Sequence, residues 1–266
     1  MSESPHLLVE RTDHIVTLTF NRPESKNAFD LEVLVRLWDA WKMIDEDPEI
    51  RCAILTGAGG DFCAGSDLKQ MHGNNEGNPW FERFKEDPDL HWKAMLRHYS
   101  LKKPLISAVE GTALAGGTEF LLATDIRVAS ETAVFGLTEP RLGLFPLGGS
   151  TVRLPRQIPH TIAMEMLLTG RVVKAREAKE IGLVGHVVPA GEALAKAQEI
   201  ASKIVANGPL AVQAIKQSAK EGLLVSEEDG LANELKLGSR IVFETEDAKE
   251  GPRAFSEKRK PVFKGC

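Results

Sequence analysis

Two stretches of small residues repeat one local pattern, and this repetition limits the folds open to the chain. CAGSDL (residues 63–68) and LAGGTEF (residues 114–120) each place Ala-Gly after an apolar, strand-like segment and before a predicted helix. A tight turn at the start of a helix exposes backbone N–H groups, which can hold a developing negative oxygen. Small residues also serve close packing of the backbone. The pattern predicts an α/β fold in which these turns supply paired donors or a tightly packed contact.

The apolar periodicity predicts a mixed α/β body. A helix is expected from Leu31 to Ile44 with Asp30 as its N-cap. NNEGNP, residues 74–79, indicates a surface loop, and the helix after it is expected to end near Lys103-Pro104. Strands are expected at HIVTLTF (14–20), CAILTG (52–57), PLISAVEG (104–111), DIRVAS (125–130) and AVFGL (133–137).

After Gly148 the chain changes character. Helical periodicity occupies residues 159–169, 174–181, 191–206, 209–221 and 226–243, interrupted only by VGHVVP. We therefore divide the chain into an α/β body, residues 1–200, and a helical C-terminal part, residues 201–266. This C-terminal part carries no chemical motif but has a series of apolar residues: Leu231, Leu235, Ile241 and Val242. The series predicts a helix used for assembly, and its alternative is a helix that only caps its own subunit.

Composition and charge exclude several classes of partner. The formal net charge of -5 gives no general attraction to nucleic acid or anionic lipid. Cys52, Cys63 and Cys266 lack C-x-x-C spacing, which argues against a disulfide framework or zinc ribbon and favours a reducing compartment. The opening MSESPHLLVERTD has no secretory signal pattern, and no apolar run reaches the ~20 residues of a membrane helix. A cytoplasmic protein without a nucleic-acid or membrane partner is predicted.

Two carboxylates near these turns allow more than one interpretation. Gly116 and Glu119 are three residues apart, so they share a face if this segment is helical. Taken alone, Glu119 is most simply a first-turn acid that suits the helix dipole, and Glu139 an exposed turn acid before a proline. His91 and His98 could share a helix face, but no third ligand accompanies them, so no metal site is predicted.

Several longer stretches carry a resemblance to a known family. They are NRPESKNAF, DFCAGSDLKQM, the block GTALAGGTEFLLATDIRVASETAVFGLTEPRLGLFPLGGSTVRLPR, and the tail EKRKPVF. Together these stretches resemble the crotonase, or enoyl-CoA hydratase/isomerase, superfamily. The resemblance implies a crotonase-type spiral of ββα units, a C-terminal helical trimerisation region, and trimers that pair into hexamers.

The resemblance also assigns roles to particular residues. It implies an oxyanion hole made of the backbone N–H groups of Ser66 and Gly116, and it implies that Glu119 and Glu139 are the two catalytic acids. Ala115, Thr118, Pro140 and the stretch from about 71 to 100 depart from the commonest hydratase pattern, and the last of these bears on the acyl pocket. The substrate-binding set implied by the resemblance is Lys26, Ala28, Ala64, Ser66, Asp67, Leu68 and Gly116.

The function implied is an enoyl-CoA hydratase acting on an acyl-CoA thioester. Glu119 would activate water and Glu139 would exchange the proton at the α-carbon, with no metal or redox cofactor because coenzyme A is part of the substrate. Retention of both acids favours a hydratase, since isomerases of the family usually keep one. The alternatives are a specialised dehydratase similar to carnitinyl-CoA dehydratase, an isomerase, and an acyl-CoA-binding member without turnover. The predicted assembly is a homotrimer or hexamer.

Overall fold

The computed structural model describes residues 4–71 and 77–266, with only the backbone described at residues 70 and 71. The strands are β1 (Leu7–Thr12), β2 (Ile15–Phe20), β3 (Cys52–Gly57), β4 (Leu105–Val109), β5 (Thr112–Leu114), β6 (Ile126–Ser130), β7 (Val134–Gly136), β8 (Val172–Lys174) and β9 (His186–Val188). The helices are α1 (Leu31–Glu46), α2 (Leu68–Met71), α3 (Pro79–Glu86), α4 (Leu90–Ala94), α5 (Gly116–Leu122), α6 (Ser150–Gln157), α7 (His160–Thr169), α8 (Ala175–Glu180), α9 (Ala193–Val205), α10 (Pro209–Gly222), α11 (Glu227–Glu244) and α12 (Glu246–Ser256).

The larger sheet has the strand order β1-β2-β3-β4-β6-β9. Its β1–β2 pair is antiparallel, and the other neighbouring strands are parallel. The central strands β3 and β4 are buried almost throughout, in keeping with their mainly apolar sequences CAILT and LISAV. Parallel strands covered on both faces carry such runs, because neither face meets water.

A smaller sheet has the strand order β5-β7-β8. Along the chain, β5 follows β4 and β7 follows β6, so strands of the two sheets alternate. Isolated parallel bridges Phe29–Ser66 and Cys63–Ala113 continue its pairing across two further segments. The chain therefore repeats one unit: a strand of the larger sheet, a short extended segment that pairs in the smaller one, then a helix. The two small-residue turns occupy the same place in successive units, just before α2 and at the start of α5, which explains why the sequence repeats there.

Helices α1 and α9 close the core on different parts of the larger sheet. Asp30 caps α1, accepting a hydrogen bond from Val33 N, as predicted. Trp41 on the buried face of α1 is fully buried and donates its indole N–H to Ala94 O (2.9 Å). Helix α9 packs its alanines against β3, β4 and β6, which lets the helix lie close to the strands. Burial of these faces supplies the main stabilising free energy.

The prediction of one helix that ends near Lys103-Pro104 is wrong, because the helical segment is shorter and divided. Two short helices, α3 and α4, stand there instead, separated at Asp87-Pro88-Asp89. Pro88 disfavours the helical conformation of the residue before it, and Asp87 accordingly has φ -132° and ψ 88°. Part of the predicted 74–79 loop lies outside the described residues, and Pro79 begins α3.

The predicted strands and the five helical segments after Gly148 are all found, with small shifts of their ends. VGHVVP contains β9, which explains its break in helical periodicity. The periodicity missed β1, β5, β8, α6 and α12. Strands β5 and β8 are each three residues long, and α6 contains Pro155. Strands this short, and a helix with an internal proline, do not present a complete apolar repeat.

The C-terminal helices α10, α11 and α12 follow α9 and pack mainly on one another. The boundary drawn at residue 200 stays a prediction, and residue 200 itself lies within α9, which packs on the larger sheet. Within the described ranges, no helix has the length and apolar character needed to cross a membrane. The cytoplasmic location stays a prediction.

Candidate active site

The two small-residue turns pack directly against each other. Leu114 N donates to Cys63 O (3.0 Å). A Cβ atom at Gly65 would lie 2.9 Å from Ala115 Cβ, and one at Gly117 would lie 2.0 Å from Cys63 O. Gly65 also has φ +102°, a conformation that L side chains rarely adopt. Close backbone approach is therefore a real reason for the small residues, and it is also what brings Ser66 and Gly116 together.

Ser66 presents its amide away from the strand pair that holds it. Phe29 N donates to Gly65 O (2.8 Å) and Asp67 N donates to Phe29 O (2.9 Å). In a parallel bridge of this register, the N–H of Ser66 points to the opposite side. Among the described residues, the Ser66 amide has no acceptor.

Gly116 begins α5, so its amide lacks an acceptor within the helix. The preceding Ala115 has φ 50° and ψ -124°, a strained conformation for a non-glycine residue. A hydrogen bond from Ala115 N to Gly136 O (2.7 Å) helps to hold this corner. This turn places the Gly116 amide next to Gly65. A Cβ added at Gly116 would lie 3.5 Å from Gly65 Cα. The Gly116 amide thus lies beside the residue that precedes Ser66, and the joint use of the two amides as an oxyanion hole stays a prediction.

Glu119 is buried, with 5% of its surface exposed. Its Oε1 accepts hydrogen bonds from Ser150 Oγ (2.7 Å) and Ser150 N (3.3 Å). Its Oε2 faces Gly148, where an added Cβ would lie only 2.7 Å away. One oxygen is therefore fixed by the protein, while the other adjoins a space kept open by a glycine. Glu119 does lie in the first turn of α5, but its burial contradicts the interpretation of it as a surface acid.

Glu139 begins a single turn of 3₁₀ helix, Glu139–Leu142. Within the described part of the chain, its buried Oε2 has no hydrogen-bond partner. Burial, followed by the nearby negative charge of Glu119, raises the pKa of Glu139 to about 7. The interpretation as a simply exposed turn acid is also wrong. A carboxyl group with this pKa can give or take a proton near neutral pH.

The raised pKa predicts that Glu139→Gln stabilises the protein at alkaline pH. The folded pKa of about 7 exceeds the ordinary value of 4.5, so the neutral carboxyl's contribution to stability is present below pH 4.5 and lost as pH rises through about 7. Glutamine resembles the neutral form at every pH. Allowing for solvent screening, we expect the variant's free energy of unfolding to exceed wild type by about 1–2 kcal/mol near pH 8.

Urea denaturation near pH 5 and near pH 8 measures this effect, and the advantage of the variant should be smaller at the lower pH. A variant whose advantage is the same at both pH values, or absent at both, would contradict the expected titration of Glu139.

The residues predicted to bind the substrate lie on two segments that run side by side. Ala64 N donates to Lys26 O (3.0 Å), and the Phe29–Gly65 hydrogen bond continues this pairing. Lys26 and Leu68 are exposed at the outer ends of the two segments. The residues predicted to bind the substrate lie together around this pairing and next to the turn in LAGGTEF: Lys26, Ala28, Ala64, Ser66, Asp67, Leu68 and Gly116. Their role in binding stays a prediction.

Arg22 holds these two segments in place, a role that the sequence did not reveal. Its guanidinium donates to Ala28 O (2.5 Å) and to the Asp67 carboxylate (2.9 Å), and it lies 3.3 Å from the Asp30 carboxylate. The planar guanidinium can reach several acceptors at once. The positive charge of Arg22 is therefore used inside the protein, to join these two segments.

Sequence reasoning also missed the residues that support Glu119. Ser150 holds one carboxylate oxygen, and Arg153 donates to Gly148 O (3.3 Å) and to Leu96 O. Arg153 carries its positive charge near Glu119, although burial lowers the pKa of this arginine. The segment GGSTVR that contains these residues was recognised only as part of the family-like block. A serine thirty-one residues after Glu119 gives no local signal of contact.

The two histidines seven residues apart do not share a helix face, because α4 ends at Ala94. His98 pairs with the Asp89 carboxylate (2.6 Å), whereas the His91 ring packs near Phe29. Among the described residues, no group of three or more His, Cys, Asp or Glu side chains could hold a metal ion. The expected independence from metal and redox cofactors stays a prediction.

Comparisons with known proteins extend over almost the entire chain. A family model described as "Enoyl-CoA hydratase/isomerase" matches residues 10–266. The chain is 52% identical to enoyl-CoA hydratase EchA19 of Mycobacterium tuberculosis, covering 99% of this chain and 98% of that protein. It is 38% identical to carnitinyl-CoA dehydratase of Salmonella typhi over the full length of both. A solved enoyl-CoA hydratase structure from Bacillus anthracis superposes with a TM-score of 0.90 at 41% identity, covering 98% and 100% of the two chains.

Proposed function

The chain belongs to the enoyl-CoA hydratase/isomerase family, and from this premise we propose that it adds water reversibly across the 2,3-double bond of an enoyl-CoA thioester. The observation that carries the proposal is the contrast between the two acids. Glu119 is fixed through one oxygen by Ser150, whereas Glu139 has a pKa near neutrality and an unpaired buried oxygen among the described residues. Two carboxyl groups in different environments can divide the roles of base and acid.

Attack of water on the β-carbon sends negative charge onto the thioester oxygen. We infer that the amides of Ser66 and Gly116 donate to that oxygen, and each such donor typically lowers the barrier by roughly 3 kcal/mol. These donors act best when they are already oriented before charge develops. The packing of Gly65 against Ala115 and Gly116 provides this orientation.

Glu119 orients the attacking water and accepts its proton. Oε1 is held by Ser150, so Oε2 beside Gly148 is the oxygen available to the water. Glu139, when neutral, delivers a proton to the α-carbon of the enolate, and in the reverse reaction its carboxylate removes that proton. Because the pKa of Glu139 is about 7, both forms are present near neutral pH, which suits a reversible reaction.

Hydration of crotonyl-CoA, followed by loss of the ultraviolet absorbance of the conjugated thioester, tests the proposal directly. We expect turnover with purified protein and no added cofactor. Binding of crotonyl-CoA without any loss of absorbance would contradict a hydratase and favour the acyl-CoA-binding alternative.

A specialised dehydratase is the second candidate, because carnitinyl-CoA dehydratase of Salmonella typhi matches the whole chain. Dehydration of carnitinyl-CoA, followed by the gain of the same absorbance, distinguishes the two when its kcat/KM is compared with that for hydration of crotonyl-CoA. An isomerase would move the double bond of a 3-enoyl-CoA and needs a single acid, so it would tolerate loss of Glu119.

We also propose that the protein assembles as a homotrimer, or as a hexamer of two trimers, through its C-terminal helices. Leu235 on α11 is 71% exposed and Phe243 is 78% exposed, and a groove of about 430 Å³ between α10 and α11 is lined by apolar residues such as Ile215 and Leu237. This groove includes none of the predicted site residues. Burial of such side chains favours association. Sedimentation should give three or six times the mass of one chain, and a stable monomer at micromolar concentration would contradict the proposal.

A further inference from the structure

Arg153, on α6, joins two segments that are far apart in the sequence. Its guanidinium donates to Gly148 O (3.3 Å), just before α6, and to Leu96 O, just after α4. It also lies over Gly149, where an added Cβ would be 3.3 Å from Arg153 Nη1. Leu96 has φ 54°, a conformation that costs a leucine free energy and persists only where its surroundings hold it. Arg153 therefore fastens the end of α4 to the backbone that leads into α6.

A second arginine makes the reciprocal connection between the same two segments. Arg97, from the segment after α4, donates to Leu147 O, in the segment before α6. The segments also touch between these hydrogen bonds, because a Cβ added at Gly148 would be 2.6 Å from Met95 Cε. Each segment thus sends one arginine to the backbone of the other, and the two are held as one unit.

This unit surrounds the Glu119 carboxylate. Oε2 of Glu119 lies 2.7 Å from the position of a Cβ at Gly148, and Oε1 accepts a hydrogen bond from Ser150 Oγ (2.7 Å). Gly148 and Ser150 are two residues apart on the stretch that Arg153 holds. A shift of this stretch would therefore move both the backbone beside one carboxylate oxygen and the hydroxyl that holds the other.

The charge of Arg153 is also coupled to Glu119, although the two side chains do not form a salt bridge in the described protein. Burial lowers the pKa of Arg153, and the negative charge of Glu119 partly offsets this effect. The printed hydrogen bonds of the guanidinium go to backbone carbonyls rather than to a carboxylate. Arg153 is therefore suited to act on Glu119 through the backbone and through its electric field, without touching a reacting atom.

We propose that Arg153, assisted by Arg97, is a positioning residue that orients the Glu119 carboxylate toward the attacking water. This inference rests on the proposed hydratase function and adds a residue that acts through the general base. Misplacement of a catalytic group by about 1 Å can cost a large part of the rate, whereas substrate binding does not depend on this orientation. Loss of the Arg153 guanidinium should therefore lower kcat and leave KM nearly unchanged.

The test measures hydration of crotonyl-CoA by Arg153→Met, which nearly keeps the length of the side chain and removes its donors. We expect kcat to fall about 10- to 100-fold with little change in KM. Arg153→Lys keeps the positive charge but not the planar fork, and it should recover part of kcat. Arg156→Met is the matched control, because Arg156 is exposed on the same helix and donates to Val152 O, and this variant should keep kcat.

A double variant shows whether Arg153 acts through Glu119. Once the carboxylate is replaced, its orientation no longer affects the rate. Arg153→Met should therefore cost less than about 2-fold in residual kcat when it is added to Glu119→Gln. A residue that only stabilises the fold would lower kcat by the same factor in both backgrounds.

Thermal melting of each variant shows whether it is folded. Wild-type kcat in folded Arg153→Met, a loss confined to KM, or equal losses in the two backgrounds would overturn the inference. If Arg153→Met does not fold, the exposed Arg97→Met decides. Its kcat should fall about 3- to 10-fold at constant KM, and an unchanged kcat would overturn the inference. Failure of the wild-type protein to hydrate crotonyl-CoA would instead refute the proposed function, so the two failures are distinguishable.

Discussion

Glu119→Gln is expected to lower enoyl-CoA hydration by about 10²–10⁴-fold, the range typical of a general acid or base. Glutamine keeps the shape of the side chain and can still meet Ser150, but it cannot accept the proton of the attacking water. Glu139→Gln should show a loss of similar size, because it removes the proton exchanged at the α-carbon. Substrate affinity should be retained in both variants, since neither change fills the site.

The two losses should not multiply in the double variant. Groups that act on one water and one substrate behave as a unit, so removing the second acid costs much less than removing the first. Glu110→Gln is the matched control, because the Glu110 carboxylate binds the backbone amides of Gly191 and Ala193 rather than facing the site. Steady-state rates and binding by calorimetry give the comparison. Near-wild-type hydration by Glu119→Gln would end the two-acid mechanism and favour an isomerase that depends on Glu139.

Ser66→Pro is expected to reduce turnover by about 10²–10³-fold, the cost of removing one oxyanion donor. Proline lacks the backbone N–H. In the described protein the Ser66 amide bonds to no other group, so this substitution removes no internal hydrogen bond. Ser66→Ala is the matched control, because it removes only the hydroxyl and should change turnover little.

Gly116→Pro would remove the other proposed donor, but it is less informative. Any Cβ at this position would lie 2.5 Å from Phe29 Cε1 and disturb the packing. Circular dichroism and thermal melting should show that Ser66→Pro and Ser66→Ala are both folded. If folded Ser66→Ala loses turnover as strongly as Ser66→Pro, the hydroxyl takes part in the chemistry and the backbone assignment is wrong.

Much of the fold could be predicted where a short segment carries its own physical signal. Asp30 before the apolar repeat of α1 predicted both the cap and the helix, because capping and amphipathic burial depend on residues close in sequence. The runs CAILTG and DIRVAS predicted strands, because their apolar and β-branched residues are also close in sequence. Where local signals conflict, as at Asp87-Pro88, the effect of the proline decided the structure and the predicted helix was too long.

The candidate site divides in the same way. The sequence alone determined two small-residue turns, each suited to expose amides, and one acid three residues beyond Gly116. The pKa of Glu139, the hold of Ser150 on Glu119, the use of Arg22 inside the protein and the contacts of Arg153 were decided only by tertiary structure. Each depends on burial or on a contact between residues far apart in the chain. Such contacts arise from the packing of whole elements, so no short stretch of sequence contains the information that sets them.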